Sequence, residues 1–239
     1  MRLSWTKAAV TTCAALAISA TGITTALAGA AGQTRTGDRA AAQAPRAGEQ
    51  TFKATQFTEA TESTLSLTLD AATGGTPQKL SSADRRRIAG LLGAPVGELN
   101  SGRSADAAGG PDATGRAKGP ATLRCDKNPS WSDARGTLNA RFNCHHHTIN
   151  WGYKISAQVR AVITGKVTEK GVSWWNNGKR KPNNAGHVVA KNYHFHGTLK
   201  PVKHGDHVQF QDHMTFRVNI GGKPGTGTLT WAADVKAKK

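Results

Sequence analysis

From Leu138 to Val235 the chain alternates apolar and polar residues with a period of two, and that alternation constrains its fold more than any other feature. Leu138, Ala140, Phe142 and Cys144 share one face, opposite Asn139, Arg141 and Asn143. Successive side chains of a strand point to opposite faces, so such a pattern describes a strand with one face in the core. After Cys144 the parity reverses, and Ile149, Trp151, Tyr153, Ile155, Ala157, Val159, Ala161 and Ile163 become the apolar set. A straight strand cannot exchange its faces without a turn or bulge. His145, His146 and His147 sit at the reversal, which places them in the bend of a hairpin.

The pattern continues through Val189, Tyr193, Phe195 and Leu199, then Val208, Phe210, Met214, Phe216, Val218 and Ile220, and last Leu229, Trp231, Ala233 and Val235. Asn177-Gly178 and the stretch from Gly221 to Gly225 supply turn chemistry between these runs. Residues 124–239 therefore read as an all-β domain, a small antiparallel β-sandwich or barrel in which consecutive strands pair as a meander.

The N-terminal half has a different character. Arg2 and Lys7, the apolar run Ala8 to Ala20 and the Ala26-Leu27-Ala28 site make residues 1–28 a signal peptide. No second long apolar segment follows, so no transmembrane segment is expected and the protein should be secreted to the extracellular space. Residues 29–63, rich in Ala, Thr, Gly and Gln, read as a flexible leader. Within 64–100, a possible docking segment, "TLSLTL" alternates as a short strand. Ser82 can cap a helix that carries Ile88, Leu91 and Leu92 on one face and ends at Gly93 and Pro95. Arg85, Arg86 and Arg87 are either a processing site or the wet face of that helix, the second being preferred. Residues 101–123 read as a linker.

Export decides the cysteines. Cys13 lies in the removed segment, and Cys125 and Cys144 should join in one disulfide worth about 3 kcal/mol. Charge is uneven: of a formal net +17, residues 125–239 hold 18 Lys and Arg against 6 Asp and Glu, a net +12. They also hold all 9 histidines. A basic exported surface suits an anionic polymer or glycan surface, and nucleic acid less well because no recognised nucleic-acid module is present. Below about pH 6.5 protonated histidines would add to that attraction.

Two clusters are candidate sites. Trp174 or Trp175, beside Asn176, Asn177, Lys179, Arg180 and Lys181, offers an aromatic platform with cationic and amide donors, and adjacent tryptophans on a strand cannot both face the core. The second comes from strand pairing. Leu199 across from Val208 puts His194 opposite His213 with His196 two residues along, and Ile220 across from Gly227 puts His213 opposite Asp234. Those four residues are a candidate Zn or Cu site, with a solvated sheet face as the plainer alternative. Asp212 interrupts an apolar face, opposite Phe195 in that register, and burial there would raise its pKa.

No nucleophile elbow, phosphate-cradling loop or His-Glu-x-x-His helix is present. The expected function is non-catalytic binding of an anionic or carbohydrate cell-surface polymer, with no cofactor. The alternatives are a metal-binding protein or metal-dependent hydrolase using His194, His196 and His213, and a secreted antimicrobial or toxin domain. The N-terminal arm could also engage a protein partner.

Overall fold

The computed structural model describes residues 46–99, 104–106, 119–184, 187–189 and 193–239. The expected signal peptide, the start of the leader and most of the linker lie outside the described residues. The order of elements is β1 (Gln50–Phe57), β2 (Thr61–Leu69), α1 (Ser82–Leu92), a 3₁₀ turn (Val96–Glu98), β3 (Ser104–Asp106), β4 (Ala121–Arg124), β5 (Ser130–Ser132), β6 (Gly136–Asn143) and β7 (Thr148–Ile155). There follow α2 (Ala157–Arg160), β8 (Ile163–Glu169), β9 (Val172–Asn176), β10 (Lys179–Asn184), β11 (His187–Val189), β12 (His194–Leu199), β13 (His207–Ile220) and β14 (Lys223–Lys238).

The protein is all-β, as the alternation requires. A nine-stranded sheet runs β10-β9-β13-β14-β2-β1-β3, with β8 also on β13 and β4 also on β14; a five-stranded sheet runs β11-β12-β7-β6-β5. Pairing is antiparallel except for β3 on β1 and β4 on β14. Inward residues of both sheets belong to one hydrophobic core. At its centre the ring of Trp231 on β14 stacks on Tyr153 of β7 at 5.0 Å, with Trp151 tilted at 5.6 Å and Phe210 edge-on at 5.9 Å. Such aromatic pairs add about 0.5–1.5 kcal/mol each beyond the area they bury.

The histidine triplet is a bend: residues 144–147 form the turn between β6 and β7, and His147 takes a positive φ of 54°. Cys125 and Cys144 form the expected disulfide, with Cα atoms 5.4 Å apart.

Four readings of the sequence are corrected. Gln50–Phe57, inside the segment read as a flexible leader, is β1, and β2 beside it pairs with β14 along Gly225 to Ala233. Thr-rich strands with few large apolar residues look like a leader because only one of their faces is buried. The linker is likewise shorter than expected, since β3 and β4 fall within it. Ala157 to Ala161 is a helical turn, α2, because the Ser156 hydroxyl accepts the N–H of Val159 at 3.3 Å and caps it. Lastly, the strands do not run as a simple meander. Leu199 faces Ile149 on β7, and Val208 faces Val235 on β14. The 200–206 loop therefore carries the chain from one sheet to the other.

The N-terminal segment is held by buried polar contacts as well as by strand pairing. Arg135, 0% exposed, donates from Nη2 to the Leu92 carbonyl at 2.8 Å and from Nη1 to the Ser63 hydroxyl at 3.3 Å. A cation there meets the negative end of α1 and satisfies one of its orphan carbonyls. Ser63 in turn donates to Asp133, whose other carboxylate oxygen accepts the N–H groups of Arg135 and Gly136 at 2.8 and 3.0 Å. Gln56 bridges from β1, donating to the Gly93 carbonyl and accepting the Ala134 N–H. Asp133, two residues away, is a local countercharge, but the acceptors of the guanidinium, Ser63 and the Leu92 carbonyl, are distant in the chain, so the burial of Arg135 is not legible around it.

Candidate binding surface

β9 and β10 form a two-residue hairpin. Asn177 and Gly178 have φ of 49° and 76°, the conformation that Asn-Gly supplies at little steric cost, and Asn176 pairs with Lys179. This turn sorts the expected ligand residues by parity. Trp174, 3% exposed, faces the core opposite Phe210, and its indole N–H donates to the Pro182 carbonyl at 2.9 Å. Trp175 is half-buried on the opposite face.

The ladder then sets a row across four strands: Arg180 on β10, Trp175 on β9, Gln209 on β13 and Asp234 on β14. Directly opposed residues share a face. Lys179 and Lys181 pair with Asn176 and Trp174 and so belong to the other parity. The expected cluster is therefore not one platform; Trp175 and Arg180 stay together, and Trp174 is structural.

Asn176 and Asn177 have another task. Their side-chain amides donate to the two oxygens of Asp206, each at 2.8 Å, and the Lys203 N–H adds a third bond of 2.8 Å. Burial works against ionisation of Asp206, but the Lys203 N–H and the two Asn amides outweigh it and hold the carboxyl below its ordinary range. The side-chain oxygen Oδ1 of Asn177 accepts the His207 N–H at 2.9 Å. These bonds lock the hairpin to the loop before β13. Beside them His207 and Gln209 both engage Asp234, the latter at 2.9 Å, so Asp234 is committed to its neighbours in the row.

The four-residue metal site is not assembled. His194 and His196 lie on β12, paired with Lys154 and Gly152 of β7, whereas His213 lies on β13 in the other sheet, opposite Thr230. The hairpin into β14 is the physical reason for the lost Asp234 pairing. Gly221 and Gly222 close it in two residues, with Ile220 opposite Lys223, and this tight turn replaces Asp234 by Thr230 as the partner of His213. His194 and His196 remain neighbours, with ring centroids 5.7 Å apart. Burial first, then the charges of His196 and Lys154, lowers the pKa of His194. Among the described residues, one group of potential ligand atoms clusters closely, Cys125, Asp126 and Cys144, and the disulfide occupies two of its three members.

The outward face of the nine-stranded sheet is rich in hydroxyl groups. Thr51 and Thr68 bond at 3.0 Å, Thr55 and Thr64 at 2.9 Å, and Thr230 meets His213 Nδ1 at 3.1 Å. Arg217 donates to Thr226 at 3.0 Å and to Asp70 at 2.7 Å. In register, Thr68, Ser66 and Thr64 of β2 lie beside Thr226, Thr228 and Thr230 of β14, and Thr215 and His213 of β13 follow. Sequence reading missed this surface, although the period-two threonines of β2 and β14 carry its signal.

Asp212 is buried at 3% exposure, opposite Trp231 rather than Phe195. β9 pairs with β13 as far as Gln211, and β8 takes over at Met214. At this change of neighbour Asp212 Oδ1 accepts the His213 N–H at 2.7 Å, supplying an acceptor where neither strand does. Its other oxygen has no partner. Burial pushes the carboxyl up to about 6, with the nearby charge of Glu169 adding and the His213 N–H opposing.

No protein-family model, no curated protein and no solved structure matches this chain.

Proposed function

We propose that this is an exported, non-catalytic binding module, a sandwich of two sheets that recognises a carbohydrate or anionic cell-surface polymer on the outward face of its nine-stranded sheet. The observation that carries this reading is the opposite fate of the two adjacent tryptophans. The core claims Trp174, and Trp175 is set on the outward face in one row with Arg180 and Gln209. An indole face stacks on the apolar face of a sugar ring, a guanidinium forks onto carboxylate or phosphate, and amide and hydroxyl groups exchange hydrogen bonds with sugar hydroxyls. The hydroxyl rows of β2 and β14 extend the same polar, open sheet surface.

Cosedimentation of the exported chain with insoluble cell-wall polysaccharide and with a wall polymer stripped of its phosphate tests this. Trp175→Ala and Arg180→Gln should lower retention about ten-fold or more while thermal stability stays within about 1 kcal/mol of the parent. Trp174→Ala should instead cost about 3–5 kcal/mol of stability. Retention that is equal in the parent and the Trp175 variant would refute the reading.

A further inference from the structure

On the five-stranded sheet, β11 adds a third histidine to the two that β12 keeps together. His194 and His196 are two residues apart on β12 and so share one face, their ring centroids 5.7 Å apart. β11 pairs with β12 so that His187 stands directly opposite His196, and residues opposed in this way belong to the same face. The same row continues across the sheet, with His196 opposite Gly152 of β7 and Gly152 opposite Asn139 of β6. Gly152 leaves a notch there. A Cβ at that position would lie 2.6 Å from Asn139 Oδ1 and 2.8 Å from His194 Nε2, so both atoms lean into the space of the missing side chain. A glycine in the middle of β7 thus lets the His194 ring, a diagonal neighbour, lean toward the row that holds His196.

We infer that His187, His194 and His196 bind a late first-row divalent metal ion, Zn²⁺ or Cu²⁺, on the outward face of the five-stranded sheet, apart from the Trp175 row of the other sheet. Imidazole nitrogen suits these ions, whereas calcium and magnesium take oxygen ligands. Two imidazoles that hold one ion at about 2.0–2.1 Å have ring centroids about 5 Å apart, so His194 and His196 need only a small adjustment. His-x-His on one strand with a third histidine opposite gives three ligands from two neighbouring strands, and a fourth position stays open for water or another donor. Lys154, the cation opposite His194, is exposed, and its flexible stem lets the ammonium stay in water. His213 has no part in this site, and β11 supplies the ligand that sequence reading had sought on β13.

The test is titration of the exported chain with Zn²⁺ by calorimetry and with Cu²⁺ by paramagnetic broadening of amide signals. One equivalent should bind saturably, and Cu²⁺ should broaden the Gly152 and His196 amides before those of the histidine bend. His187→Ala, His194→Ala and His196→Ala should each weaken binding about ten-fold or more, whereas His213→Ala and His146→Ala leave it unchanged. Gly152→Ala alters no ligand but fills the notch and displaces the His194 ring, so it should weaken binding as well. The φ of Gly152 lies outside the left-handed region, and alanine suits a strand interior at least as well as glycine. Melting curves recorded without metal verify that each variant is folded. Absence of saturable binding would overturn the proposal, as would the parent's affinity in the His187, His194 or His196 variant. So would loss of binding in the His146 variant, which would put the ion at the histidine bend.

Discussion

A carboxyl group among core side chains is tolerated only where it replaces something worse, and at Asp212 the alternative is an unsatisfied N–H at a break between two neighbouring strands. Its pKa is raised from 3.8 to about 6, so between those values the native state holds a proton that the unfolded chain has released. Its contribution to stability is therefore present below about pH 4 and lost as pH rises through about 6. A shift of about two units corresponds to on the order of 2–3 kcal/mol. Asp212→Asn keeps the acceptor for His213 and removes the charge. Urea unfolding from pH 4 to 7.5 should show a falling stability in the parent that the variant lacks. Parallel pH profiles would disprove the assignment. That an acid interrupted this apolar run was legible in the sequence; the strand exchange that gives it a purpose was not, because β8 and β9 lie about 40 residues away along the chain.

Helix α1 shows how far local signals reach. Gly93 closes it in the left-handed conformation, φ 61°, and Ile88, Leu91 and Leu92 are buried, all as spacing predicts. The cap is Ser81 rather than Ser82: Ser81 Oγ accepts the Asp84 N–H, and the Asp84 carboxylate accepts the Ser81 N–H, a reciprocal box. The choice between adjacent serines rests on the acid three residues on, Asp84 for Ser81 against Arg85 for Ser82, and not on the apolar period. Beyond the box, Asp84 binds Lys223, the first residue of β14 after the turn from β13, at 2.9 Å. Gly221 in that turn has no room for a Cβ, which would come within 2.0 Å of Asp84 Oδ1. Lys223 foremost, then Ser81, holds the Asp84 carboxyl down at about 2. Its stabilisation is thus complete above about pH 4 and lost as pH falls through about 2. Lys223→Met should move acid unfolding to higher pH, and Ser81→Ala should cost about 1 kcal/mol at neutral pH. Denaturant melts at pH 3 and 7 separate the two effects, and a Lys223 variant with the parent's acid profile would rule out the clamp. By contrast α2 was illegible, since Ala157, Val159 and Ala161 alternate just as a strand would.

At the scale of the whole molecule, residues 46–99 complete the fold. β2 covers the β14 edge from Gly225 to Ala233, and Ser63 and Leu92 provide the acceptors for buried Arg135. A fragment of residues 119–239 should expose that edge and leave the Arg135 guanidinium without its Ser63 and Leu92 acceptors, which is expensive. It should bind a hydrophobic dye, lack a cooperative melt, and recover near-ultraviolet dichroism when a 46–99 peptide is added. A cooperative melt of the fragment alone would show that the segment is dispensable. The sequence by itself determined the strand period, its reversal at the histidine bend, the Asn-Gly turn, the disulfide and the helix, because each rests on chemistry within a few residues or, for the disulfide, on the two cysteines of residues 29–239. Only the tertiary structure decided which strand lies beside which, and with it the separation of His213 from His194 and the row joining Arg180, Trp175 and Gln209. Pairing is chosen by burial summed over distant segments, and a tight turn that moves the register changes every cross-strand partner at once.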